Sequence, residues 1–133
     1  MKHRPKQIIQ TTFLIPIKED QEVGNGQHHP EKRWEKLNEL IFVKFSGWHV
    51  ASELYPGGWI SPETGKMIED ESRKYFIDIP RKDLNKMRAF IKEMAVMFKQ
   101  QCIRFEYEGK VEYIGRGWDE WDIIEHYIML HMI

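Results

Sequence analysis

The segment Phe45-Ser46-Gly47-Trp48-His49-Val50 constrains the fold more than any other. Up to Phe45 the apolar residues recur at helical spacing; from Trp48 they alternate; a glycine stands between. A helix must stop and a strand must start within one short stretch of chain. The same succession returns later, where an amphipathic run from Leu84 gives way to an alternating run that ends at Tyr107. An extended stretch precedes each unit. Two strand–helix–strand units in series predict an α+β, ferredoxin-like βαββαβ plait: an antiparallel sheet with both helices on one face.

The element limits follow from local chemistry. Residues 8–17 read as the first strand, with Thr11, Thr12, Phe13 and Ile15 favouring extended backbone and Pro16 marking an edge or an end. Residues 18–29 are a polar loop made flexible by Gly24-Asn25-Gly26. Pro30 opens the first helix, whose face is Trp34, Leu37, Ile41 and Phe45, with Gly47 as its stop. Residues 48–54 form the second strand, with Trp48, Val50 and Leu54 inward. Pro56-Gly57-Gly58 reads as a turn that starts a hairpin-like excursion. The third strand covers 73–79, with Tyr75, Ile77 and Ile79 on one face. The second helix covers about 81–99 and shows the stripe Leu84, Met87, Ile91, Met94, Ala95 and Phe98. Residues 102–107 are the fourth strand, and Glu108-Gly109-Lys110 turns it into a hairpin strand over 111–114. Residues 118–133 carry helical spacing and an end that is apolar nearly all round.

The 133 residues therefore read as one domain: a tail over 1–7, the plait over 8–114, and a C-terminal helix or arm over 115–133. A formal net charge of −1 lacks the basic excess of a nucleic-acid binder, so no nucleic-acid partner is expected. A single cysteine excludes an internal disulfide. No apolar run is long enough to span a bilayer and no secretory leader is visible, so no membrane association is expected and the default compartment is the cytoplasm.

Candidate chemistry falls on the sheet face opposite the helices. Alternation sends His49, Glu53, Asp78, Arg104 and Glu106 there. Carboxylates beside a histidine can tune it for acid–base work or share a divalent metal with it. Charge pairs on a solvated sheet give the same pattern. His28-His29 and His126/His131 lack metal-site spacing, and no cofactor is expected. Cys102, two residues from Arg104, reads as a quiet thiol. Gly57-Gly58 and Gly115-Arg116-Gly117 lack the lysine and spacing of phosphate loops. Trp59, Trp118, Trp121, Ile124 and Ile128 are candidate partner contacts, because tryptophan is enriched at interface hot spots and an apolar chain end needs cover.

Phe45-Ser46-Gly47-Trp48-His49 after a helix, Gly58-Trp59, Gly65, and Gln100-Gln101-Cys102-Ile103 entering a strand resemble a group of small prokaryotic α+β domains. Those read Phe-Gly-Gly-x-Thr, then Gly-x-Trp, then Gly, then Phe-x-Gln. The resemblance spans about residues 11–114 and implies the same plait, with no established activity. Here Ser46 replaces a glycine and His49 stands where a threonine is usual. Two functional expectations result. The first and favoured one is a non-enzymatic protein-binding or self-assembly module, working as a homodimer or with another protein. The alternative is a small hydrolase or metal-dependent enzyme using His49 and the nearby carboxylates.

Overall fold

A computed structural model describes residues 7–60 and 64–115, with only the backbone of Trp59 and Ile68. The described strands are β1 (Ile8–Pro16), β2 (His49–Val50), β3 (Tyr55–Ile60), β4 (Met67–Pro80), β5 (Cys102–Tyr107) and β6 (Lys110–Gly115). The described helices are α1 (Glu31–Phe45) and α2 (Leu84–Met97), the latter entered through a 3-10 turn over Arg81–Asp83. All strand pairs are antiparallel, in the order β2-β4-β1-β5-β6, with β3 on the other half of β4. The coarse class expected from the sequence, α+β with an antiparallel sheet and two helices, is what the structure shows; its described sheet has six strands.

Both helices cover one face. Trp34, Leu37 and Ile41 of α1 and Met87, Phe90, Ile91, Met94 and Ala95 of α2 share a core with Phe13, Tyr75, Ile77, Ile103 and Phe105 from the strands. These strand residues are the alternating positions that the period of two assigns to a single side. Aromatic stacking organises the centre. Phe13 and Tyr75 lie parallel at 5.3 Å, Trp34 stacks on Tyr75 at 6.5 Å, and the Arg73 guanidinium sits 4.0 Å over Trp34. Thr11, fully buried, satisfies its hydroxyl by donating to the Ile77 carbonyl at 2.6 Å.

Three local expectations are corrected. The first helix stops one residue early: Ser46 takes the left-handed position (φ 74°) and its N–H caps the Phe42 carbonyl. The second strand is short, and Val50 and Leu54, expected inward, are exposed. Pro56-Gly57-Gly58 is not a turn but the middle of β3. That strand has β4 as its one partner among the described residues, so the missing proline N–H leaves no pairing broken. No helix of the described residues is long and apolar enough to cross a membrane. The expected N-terminal tail through residue 6, the C-terminal helix, and Trp118, Trp121, Ile124 and Ile128 lie outside the described residues.

Ile91 is fully buried beneath α2. Ile91→Ala is expected to cost about 2–5 kcal/mol in denaturant unfolding. A loss below about 0.5 kcal/mol would remove this stripe from the core.

Candidate functional site: an acidic cavity under a pinned loop

His49, Asp78, Arg104 and Glu106 share the open side of the sheet, but they do not converge. Cα pairing runs His49–Phe76–Thr12–Glu106 across successive strands. Three strand spacings separate His49 from Glu106, about 14 Å. Arg104 reaches Glu106 at 3.4 Å on its own strand, and Asp78 is exposed opposite Gln10. Glu53 lies in an exposed bend between β2 and β3 rather than on a strand. Among the described residues, no group of three or more His, Cys, Asp or Glu is placed to hold a metal ion.

The structure gathers a different set. β4 runs past Arg73 to Met67, and its alternation carries Ser72 and Asp70 to the side of Lys74 and Phe76. The same alternation on β5 places Cys102 on the side of Arg104. Residues 17–29 close over this end of the sheet. They are not a loose loop. Glu19 N–H donates to Gln27 O, Asp20 N–H to Lys99 O, and His29 N–H to Ile17 O. Glu19 is buried, accepting from Asn25 N–H at 2.9 Å and Arg33 Nη1 at 3.1 Å, with Lys99 Nζ at 3.7 Å. The Asn25 N–H, aided by Arg33 and Lys99, holds this carboxyl below its ordinary range despite burial. Gly24 packs closely here: a Cβ on it would stand 2.6 Å from Glu19 Oε1 and displace that side chain.

His29 locks the other end of the loop. Its Nε2 is 2.9 Å from the Pro16 carbonyl and its Nδ1 is 2.8 Å from Arg33 Nη1. A carbonyl only accepts and a guanidinium only donates, so the ring is neutral with its proton on Nε2. It packs edge-on against Trp34 and Phe98. Burial, then the Arg33 charge, lowers its pKa from 6.5 to about 4.

Between this loop, the β3–β4 ribbon and the end of α2 lies a cavity of about 730 Å³. Its acidic wall is Glu19, Asp20, Glu69, Asp70 and Glu71; among the described residues, Lys18 is its one basic lining residue. Gly57 and Gly58 present bare backbone beside this wall, Gly57 pairing with Asp70 and Gly58 with Glu69. Burial raises the Asp20 carboxyl against hydrogen bonds from Glu22 N–H and Gln101, and the Glu22 charge adds to the rise. Burial likewise raises Asp70, and the Asp20 charge adds to it. Cys102, behind them, is pushed up to about 12 by burial and by the charges of Asp20 and Asp70, which makes it a poor nucleophile. Two carboxyls with raised proton affinity in one concave site can bind a cation or accept a proton.

Sequence reasoning missed Asp20, Asp70 and Gln100. It began the third strand at Arg73, so the two-residue alternation was not followed back to Asp70. Asp20 gave no signal of its own, because its burial depends on the distant carbonyl of Lys99.

No family model and no curated protein matches the chain. Solved structures do. A phage SAM lyase in complex with S-methyl-5'-thioadenosine superposes with a TM-score of 0.67 at 16% identity, covering 90% of this chain and 98% of that one. A phage SAM lyase in its apo state gives 0.55 at 16% identity, with the same coverage. At this identity the likeness is one of fold. It corrects the reading of the chain as a non-enzymatic binding or self-assembly module, because the fold it shares almost end to end is that of an enzyme.

Stability should carry the signature of His29. Between pH 6.5 and about 4 the unfolded chain binds a proton at this position that the folded chain refuses, so stability falls as pH drops through that window. His29→Gln is expected to be less stable than the parent at pH 7. The gap should narrow by roughly 2–3 kcal/mol by pH 4. A gap independent of pH would contradict the neutral, buried ring.

Proposed function

We propose that the protein is a SAM-cleaving lyase whose substrate enters the acidic cavity as a cation and whose nucleoside product leaves neutral. The observation that carries this is the charge of the cavity wall on a fold shared with a phage SAM lyase. SAM presents a sulfonium and an ammonium. Asp20, buried, and Asp70, partly buried, attract both more strongly than exposed carboxylates do. A lyase needs neither water nor an oxidant. The sulfur takes the electron pair of the broken C–S bond and becomes the neutral thioether of S-methyl-5'-thioadenosine. The carbon it leaves is satisfied within the departing four-carbon fragment, by that fragment's own carboxylate oxygen or by loss of a neighbouring proton. In the second case a buried aspartate with raised proton affinity is a fitting acceptor. The cavity volume lies within the usual range for ligands of this size.

The finer fold reading belongs to this proposal. The order β2-β4-β1-β5, with α1 after β1 and α2 after β4, supports a ferredoxin-like plait to which β3 and β6 are additions. Self-association through residues 118–133 is likewise a proposal. A full-length chain that is monomeric by light scattering at high micromolar concentration would overturn it.

The charge argument makes a divided prediction. Asp70→Asn should weaken SAM, read as KM or Kd, by about tenfold. It should leave the affinity for neutral S-methyl-5'-thioadenosine within about twofold. Chromatography of a SAM incubation should show S-methyl-5'-thioadenosine released by the parent chain. Absence of that product, or equal losses for both ligands, would overturn the proposal.

A further inference from the structure

We infer that Gln100 reads the base of the bound nucleoside, its side-chain carbonyl oxygen accepting a hydrogen bond from the 6-amino group of adenine. This rests on the SAM reading above and adds to it the residue that selects adenine. Gln100 lines the cavity yet is only 4% exposed. It follows Lys99, two residues past α2, whose backbone turns left-handed (φ 50°), and its own N–H is fixed on the Ala95 carbonyl at 2.8 Å. Its side-chain nitrogen donates to Lys18 O and to Phe98 O, each at 2.9 Å.

Those two partners settle which end of the amide faces where. Both are carbonyls, which only accept, so the NH2 group must face them and both its hydrogens are used. The carbonyl oxygen is left without a protein partner among the described residues. A buried amide that spends its donors on backbone and keeps its acceptor at a cavity wall is a one-way reader: it welcomes a ligand donor and opposes a ligand acceptor. The acceptor is neutral, whereas the cationic ends of SAM have the carboxylates of Asp20 and Asp70 in the same cavity. That division leaves the uncharged amine of the base for Gln100. The lock is rigid because Lys18 O belongs to the pinned loop and Phe98 O to the helix end, so the amide joins the two walls.

The test is calorimetric titration with S-methyl-5'-thioadenosine, S-methyl-5'-thioinosine, and the purine analogue with hydrogen at position 6. The parent chain should bind the hydrogen analogue about tenfold more weakly than the amine. It should bind the 6-oxo analogue more weakly still, because two acceptors then meet. Gln100→Met should bind the amine and 6-oxo compounds within about twofold of each other. The parent-chain series needs no variant, so it can overturn the role of Gln100 even if Gln100→Met does not fold. Binding of all three nucleosides by the parent within about twofold would overturn the role of Gln100 and leave the SAM reading standing. A preference for the amine retained in Gln100→Met would do the same. Failure of S-methyl-5'-thioadenosine to bind at millimolar concentration would overturn both.

Discussion

The Arg33 guanidinium, shared between the Glu19 carboxylate and the His29 ring, is the contact on which the rest of the site depends. A loop whose only apolar side chains are Ile17 and Val23, against nine polar ones over residues 17–29, has little hydrophobic reason to stay in place. It is held instead by buried polar groups that satisfy one another. Glu19 brings the middle of the loop against the α2 terminus, and His29 brings its end under Trp34 and Phe98. Such an arrangement specifies position more than it adds net stability, since desolvating the charges offsets much of their attraction. Its removal is another matter: without Arg33, Glu19 would be a buried charge short of its main side-chain partner, at a cost of about 3 kcal/mol or more.

With the loop in place, the chemistry of the cavity follows from geometry. Asp20 is drawn inward next to Glu19, near enough to Asp70 that its charge adds to the rise that burial imposes on the Asp70 carboxyl. Both then hold protons more readily than free aspartates do, and both favour a cationic ligand that relieves the repulsion. The glycines of β3, paired with Asp70 and Glu69, leave room beside the carboxylates for a ligand to lie against backbone. Gln100 closes the far side. The neutral nucleoside product has no comparable hold on the carboxylates, which gives the site a physical reason to release what it makes.

Much of the scaffold was legible from the sequence because each signal was local. β5 has the limits its alternation sets, and α2 buries Met87, Ile91, Met94 and Ala95 of the stripe its spacing marks, with Phe90 added and Leu84 only partly buried. Ser46 shows the limit of local reading: the stop was visible, but which residue adopts the left-handed conformation was not. Pro56-Gly57-Gly58 misled for a physical reason, since its turn propensity holds only when no neighbouring strand supplies partners, and Met67–Ser72 supplies them. The site was less legible still. His49, Glu53, Asp78, Arg104 and Glu106 were placed by alternation along each strand, which assigns a face but not a distance across the sheet. Asp20 and Gln100 owe their positions to backbone carbonyls far away in sequence, and no periodicity records those.

A crystal structure grown with S-methyl-5'-thioadenosine tests the central claim most directly. The account predicts the nucleoside in the cavity bounded by Lys18, Asp20, Gly57, Asp70 and Gln100, with the loop over residues 17–29 in its present position. Nucleoside bound on another face, with this cavity empty, would contradict it.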